Sequence, residues 1–97
     1  MSKIKRVFDD DNLYWVKDQE LNMMFVRSTL DQFNELSEIL DWVSLNDAFD
    51  RLGFPRTMKG QKLGWMKKEN VRFKVKTVGL YDIKIVFKGL APLSQQR

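Results

Sequence analysis

The chain has 97 residues, none of them cysteine or histidine. Without cysteine there are no disulfides, thiolate metal sites or thiol nucleophiles. Without histidine the usual general base near neutral pH and the commonest nitrogen ligand of transition metals are missing. The remaining residue types offer no nucleophile–base pair that the sequence can nominate. We therefore expect a protein that is not an enzyme and that uses no cofactor and no metal.

Proline, glycine and long apolar runs are scarce. Two prolines and five glycines in a chain that is 43% hydrophobic are typical of a folded domain. No run approaches the roughly 20 apolar residues of a membrane-spanning helix. The first residues contain no apolar segment of signal-peptide length. We expect a single intracellular domain over 1–97, with no membrane partner.

Acidic residues are rare in the second half of the chain. Residues 1–54 hold 6 Lys/Arg and 11 Asp/Glu, a balance of −5. Residues 55–97 hold 11 Lys/Arg and 2 Asp/Glu, a balance of +9, and the net charge is +4. This asymmetry predicts an anionic partner for the second half. The ordinary alternative is that the two halves complement each other and keep the protein soluble.

The first half is predicted to contain a hairpin and a helix. Residues 1–12 read as a polar lead-in. Two apolar runs of strand length, 13–16 and 21–27, predict a hairpin. Apolar residues then recur at helical spacing behind the possible capping pair of Ser28 and Asp31, which predicts a longer helix over about 28–41.

A short helix is predicted for 45–52. Ser44 or Asn46 can serve as its N-cap, and Gly53 supplies a left-handed end. Its apolar stripe consists of Leu45, Ala48, Phe49 and Leu52. The acidic outer sides of both helices argue against a helix-turn-helix that reads DNA.

Strands are predicted for the rest of the chain, beginning with 62–68. Residues 71–78 and 80–88 alternate between apolar and polar side chains, which predicts an antiparallel pair with one buried and one hydrated face. Residues 92–97 read as a tail. The predicted fold is α+β: a small antiparallel sheet of about four or five strands, packed on one face by one longer and one short helix.

The hydrated face of this predicted sheet is basic and is the candidate site. Its members are Arg72, Lys74, Lys76, Lys84 and Lys88, with Lys62, Lys67 and Lys68 nearby if the preceding strand joins. Such rows can follow a phosphate backbone or steer association with an acidic protein surface. The alternative is a hydrated face whose lysines discourage aggregation. Phe73 and Phe87 fall on the inward phase, so no outward aromatic is available for base stacking.

The acidic run Asp9–Asp11 offers oxygen ligands for a hard cation. It lacks the ligand spacing and the glycine of an EF-hand, and adjacent side chains are not expected to converge on one ion. We interpret it as part of the hydrated lead-in.

The segment from Leu45 to Trp65 resembles a family of small, mostly uncharacterised proteins carried by prophages and mobile elements of Gram-positive bacteria. The matching residues are Leu45, Asn46, Asp47, Asp50, Leu52, Gly53, Thr57, Gly60, Gly64 and Trp65. The resemblance implies a helix–strand element in a small α+β fold and an origin in a phage or mobile element. It implies no activity and no catalytic residues.

The function expected from these observations is that of a non-enzymatic interaction protein in the cytoplasm of a bacterial host. It binds a host protein or protein–nucleic-acid complex through the basic face, as an inhibitor of a host defence system in the manner of an anti-CRISPR protein. One alternative is sequence-non-specific binding of nucleic acid by the same face. Another is a structural homo-oligomer formed through exposed Trp15, Met23, Met24 or Trp42. The oligomeric state is left open.

Overall fold

The computed structural model describes residues 2–66 and 71–93, which form an α+β fold as predicted. Five strands and three helices occur in this part of the chain. In order they are β1 (Ser2–Phe8), α1 (Gln19–Ile39), β2 (Trp42–Ser44), α2 (Leu45–Leu52), α3 (Met58–Lys62), β3 (Leu63–Met66), β4 (Arg72–Val78) and β5 (Asp82–Pro92).

The long strand β5 organises the sheet, and all pairings among the described strands are antiparallel. β1 and β4 both pair with its first part, on opposite edges. β3 pairs with Ala91 and Pro92 at its end and carries β2 on its other side. Gly89, with φ of 70°, lies between these two parts of β5. A residue with a side chain rarely adopts this left-handed conformation, so glycine suits the position.

The helices cover one face of the sheet and leave the other uncovered by described elements. Alternate residues of β5 point toward the helices and are fully buried there, namely Ile83, Ile85 and Phe87. α1 contributes Val26, Leu30 and Phe33 to the same core, and Trp65 of β3 packs edge-on against Phe33. Because strand side chains alternate between faces, the residues between these β5 positions point away from the helices.

The short helix α2 confirms its prediction in bounds and caps. Ser44 is the N-cap, and a capping box joins it to Asp47: the Asp47 N–H donates to Ser44 Oγ (3.1 Å) and the Ser44 N–H to Asp47 Oδ2 (3.0 Å). Gly53 ends the helix with φ of 85°. Asn46 is not a cap. It is buried, and its amide bonds the backbone of Thr57 at both the carbonyl and the N–H.

The elements predicted for the first 27 residues are wrong, and so is the predicted cap at Ser28. Ser2–Phe8 form a strand rather than a polar lead-in. Residues 13–16 form no strand, and 21–27 belong to α1, which begins nine residues earlier than expected. Its N-cap is Asp18, whose side chain accepts from the Leu21 N–H, so Ser28 caps nothing.

The structure also differs from the prediction at the start of β3 and at the end of β5. β3 spans Leu63–Met66, because Lys62 ends α3 instead of opening the strand. In the predicted tail, Pro92 completes β5, and Leu93 is buried with its N–H donated to the Lys62 carbonyl (2.8 Å). Residues 94–97 lie outside the described residues.

Candidate functional site

The antiparallel register of β4 and β5 places the predicted basic residues on one surface. Arg72 lies opposite Lys88, Lys76 opposite Lys84, and Lys74 opposite Val86. Directly opposite residues share a face of the sheet. All five predicted cations of these two strands therefore lie together, on the face away from the helices.

β1 extends this surface by a third strand, which the sequence interpretation missed. Lys5 lies opposite Val86 on the other edge of β5, and Val7 lies opposite Lys84. Both residues are exposed. We call the outward surface of the three strands the cationic face, and its charged members are Lys5, Arg72, Lys74, Lys76, Lys84 and Lys88.

The centre of the cationic face is apolar. Val86 has Lys74 on one side and Lys5 on the other, and Val7 is its diagonal neighbour across the β1–β5 pair. Val7 is 43% exposed and Val86 is half-buried. The face thus combines an apolar centre with charged surroundings.

Arg72 is packed against the backbone of β5 at one end of the face. A Cβ atom on Gly89 would lie 2.7 Å from one guanidinium nitrogen of Arg72 and 2.8 Å from its Nε. The Arg72 guanidinium thus occupies the space that a side chain at position 89 would fill. The position of Arg72 therefore depends on Gly89 as well as on its pairing with Lys88.

The charges of the cationic face are not neutralised by ion pairs within the described part of the chain. The ion pair recorded there joins Arg56 to Asp50, on a different surface. The acids of α1, such as Asp31, Glu35 and Glu38, are exposed on the helix layer. The charge asymmetry of the sequence therefore becomes an asymmetry between the two sides of the fold.

The structure describes one of the three remaining predicted site residues. Lys62 is exposed in α3, which contacts α2, β2 and β3, and is not part of the three-stranded surface. Lys67 and Lys68 lie outside the described residues.

The residues expected to support a homo-oligomer differ in exposure. Trp15 and Met23 are half-buried against the core, and the Trp15 indole Nε1 donates to Asp82 Oδ1 (3.1 Å). The expectation that these two are exposed is wrong. Met24 is 62% exposed and Trp42 is 37% exposed.

The acidic run Asp9–Asp11 forms the turn that follows β1. The Asp11 N–H donates to Asp9 Oδ1 (3.1 Å), and the three carboxylates offer oxygens within 4.8 Å of one another. The expectation that adjacent carboxylates would not converge is therefore wrong. Buried Asn12 anchors this turn by donating from Nδ2 to the Leu52 carbonyl of α2 (2.8 Å).

A shallow cleft of about 350 Å³ lies between the end of α1 and α2. Its lining consists of Leu36, Leu40, Val43, Asp47, Asp50 and Arg51. It is on the helix layer and contributes nothing to the cationic face.

A family model described as "Family of unknown function (DUF6353)" matches residues 2–88. The chain belongs to the DUF6353 family. This membership agrees with the expectation of a small uncharacterised family. No curated protein and no solved structure matches the chain.

The DUF6353 match extends well beyond the segment 45–65 on which the resemblance rested. It runs from the start of β1 to Lys88 of β5, so it includes every charged member of the cationic face. Among the described residues, no helix has the length and apolar character needed to cross a membrane.

Proposed function

We propose that this DUF6353 protein is a non-enzymatic binding protein whose cationic face binds an acidic surface of a host protein or protein–nucleic-acid complex. The observation that carries the proposal is the composition of that face: six cations on three adjacent strands, without ion-pair partners among the described residues, around exposed Val7 and half-buried Val86. The electrostatic field of these cations attracts an acidic partner toward the face and so raises the rate of association.

The apolar centre favours a protein surface over a phosphate backbone. Protein interfaces combine an apolar centre with a polar, hydrated rim. Proteins that bind single strands without sequence preference add aromatic side chains on which bases stack. The aromatic residues of β4 and β5, Phe73 and Phe87, lie on the helix side of the sheet. Nucleic-acid binding by the same face is the second candidate, supported by the rows of cations alone.

The biological part of the proposal rests on the sequence resemblance. We propose an origin in a phage or mobile element, action in the cytoplasm of a bacterial host, and inhibition of a host defence system through the bound partner. This part is tested by expressing the protein in cells that restrict a phage through a nuclease-based defence. The efficiency of phage plating should rise in cells that express the wild-type chain. It should stay low in cells that express a variant with reversed charges on the cationic face. Unchanged plating in every such host contradicts the inhibitor role.

The binding proposal is tested with two defined probes, fluorescent poly-glutamate and a short DNA offered as single strand and as duplex. The variant Lys74→Glu/Lys84→Glu reverses two charges on the cationic face. The matched control, Arg27→Glu/Lys59→Glu, makes the same charge change at exposed residues of α1 and α3. Fluorescence anisotropy is recorded between about 50 and 200 mM salt, the range over which phosphate contacts weaken steeply.

We expect the wild type and the control to bind poly-glutamate, and the face variant to bind it roughly tenfold more weakly or worse. Equal affinities for the face variant and the control contradict the proposal. If DNA binds more tightly than poly-glutamate and its affinity falls steeply with salt, the second candidate replaces the first.

A further inference from the structure

The two edges of the three-stranded part of the sheet differ in how they are protected. The β1 edge has a register shift between Ser2 and Ile4. It also carries a charge on its inward side, because Arg6 lies opposite Ile85 and its guanidinium carbon sits 4.9 Å from the centre of the Phe49 ring. Bulges and inward charges are two of the features by which proteins prevent pairing at a sheet edge.

The β4 edge has neither feature. Its seven residues keep one unbroken register with β5, from Arg72 opposite Lys88 to Val78 opposite Asp82. The strand contains no proline, and its inward positions are uncharged. No described residue pairs with its outer edge.

α1 binds polar groups at the two ends of β4, just before the strand and at its turn into β5. The Val71 N–H donates to Asn34 Oδ1 (3.0 Å), and the Gln19 side-chain amide donates to the carbonyls of Val78 (3.5 Å), Gly79 (3.3 Å) and Asp82 (3.2 Å). Between these ends, alternate backbone N–H and C=O groups of β4 point to the outer edge, since a strand directs them to its two sides in turn. The middle of β4 therefore presents a regular row of backbone donors and acceptors.

The side chains beside this row specify the chemistry of an added strand. On the helix side, Phe73 and Val75 pack against the core but remain half-exposed. On the other side, Lys74 and Lys76 are exposed. An added strand needs apolar residues on one face to cover the first pair and acidic residues on the other to meet the second.

We propose that β4 accepts an extended segment of a partner protein as an added strand, and that acidic and apolar residues alternate in this segment. The inference rests on the proposed function, because it specifies how an acidic partner contacts the cationic face. Backbone hydrogen bonds supply affinity that is independent of sequence, and the alternating side chains supply selectivity.

The lysines select against a second copy of β4 as the added strand. In an antiparallel pairing of two β4 strands centred on Val75, Lys74 of one copy lies opposite Lys76 of the other. Like charges directly opposite each other destabilise a strand pair. An acidic segment turns the same positions into favourable pairs, so the edge favours a different chain.

The test uses fluorescent peptides with the length of β4, seven residues. The first alternates Glu and Val, and the second has the same composition with all Glu residues before the Val residues. Two further forms of the alternating peptide carry N-methyl groups on the Glu amides or on the Val amides. In a given pairing, either the Glu amides or the Val amides of the peptide point toward β4, but not both. Binding is measured by fluorescence anisotropy.

We expect the alternating peptide to bind more tightly than the block peptide. One N-methylated form should lose roughly tenfold or more in affinity, because several backbone hydrogen bonds are lost, whereas the other should keep its affinity. Lys74→Glu/Lys76→Glu should weaken binding more than Lys84→Glu/Lys88→Glu. The second pair lies on β5, which is one strand spacing, about 4.8 Å, further from the added segment than β4 is.

The outcomes separate this inference from the proposed function. Equal binding of all four peptides, or no peptide binding where poly-glutamate binds, overturns strand addition and leaves the cationic face standing. Failure of both poly-glutamate and the peptides overturns both. If alternating Lys and Val residues restore binding to the Lys74→Glu/Lys76→Glu variant, charge pairing along the edge is supported, and absence of this rescue contradicts it.

Discussion

Replacing Asn22 with leucine should lower the free energy of unfolding by about 3 kcal/mol. Asn22 is 1% exposed. Its amide joins α1 to two loops: Oδ1 accepts from the Val16 N–H (2.9 Å), and Nδ2 donates to the carbonyls of Val16 (2.7 Å) and Tyr81 (2.9 Å). Leucine has a similar size, so the substitution removes the hydrogen bonds without leaving a large cavity.

The magnitude follows from the three lost bonds. Each typical hydrogen bond contributes about 1 kcal/mol net, and a partner left buried without another bond adds to the loss. A total near 3 kcal/mol is a large share of the roughly 5–15 kcal/mol by which small proteins are stable. The segment 13–17 should also detach more readily, and this would change the fluorescence of Trp15, whose ring contacts Tyr81 edge-on (6.0 Å).

The assay is urea unfolding followed by tryptophan fluorescence. With a urea slope of about 1–3 kcal/mol/M, the midpoint should fall by roughly 1–3 M. Gln32→Leu is the matched control, because it makes a comparable change at an exposed position of the same helix and should stay within about 0.5 kcal/mol. A loss below about 1 kcal/mol for Asn22→Leu would refute the reasoning, since the three bonds would then be replaced by water.

Three further predictions concern α2, the sheet and the cationic face. Ser44→Ala removes the N-cap of α2 and should lower stability by about 1 kcal/mol in the same urea assay, and an unchanged midpoint contradicts the capping role. Gly64→Ala puts a Cβ atom 2.0 Å from the Val43 carbonyl oxygen. Circular dichroism should therefore show a misfolded chain, or urea unfolding should show a free energy of unfolding lower by roughly 3 kcal/mol or more. At Gly79 a Cβ atom would have no neighbour within 4 Å, so Gly79→Ala should lower stability only by the roughly 1–2 kcal/mol that a left-handed backbone costs a residue with a side chain. Equal losses of stability at the two glycines would contradict the packing argument. Lys5→Glu should weaken poly-glutamate binding although it lies in the acidic half of the sequence, and unchanged affinity removes β1 from the cationic face.

The parts of the fold that sequence patterns predicted are those held by local rules. α2 has its cap, apolar stripe and terminal glycine within ten residues, Ser44 to Gly53, so its bounds followed from neighbours in the chain. The β4–β5 pair alternates on its two faces over residues 72–76 and 82–88. Helical spacing also predicted the second half of α1.

Two of the missed parts, β1 and the first half of α1, each contain one polar residue at a buried or inward position. In α1 the buried positions are Asn22, Val26, Leu30, Phe33 and Ser37, so an asparagine interrupts the apolar stripe where the run 21–27 resembles a strand. In β1 the inward positions are Ile4, Arg6 and Phe8, and the arginine obscures the alternation. Both polar residues have partners that lie far away in the chain, Tyr81 and Phe49. Local periodicity cannot reveal such partners.

The same reason explains how much of the candidate site could be predicted. The cations of β4 and β5 alternate along two neighbouring strands, so their common face followed from the pattern. Lys5 and Val7 join them only because β1 pairs with a strand about 80 residues later in the chain. The apolar centre of the face, in which Val7 and Val86 are neighbours, is therefore a property of the folded chain alone.

The central claim is that the partner binds the outward face of β1, β5 and β4. The most direct test is a backbone NMR titration of the isotope-labelled protein with poly-glutamate. Chemical-shift changes should concentrate on residues 3–7, 72–78 and 82–88, including those around Lys5 and Val86. Changes confined to α1 and α2, or spread evenly over the chain, would contradict the claim.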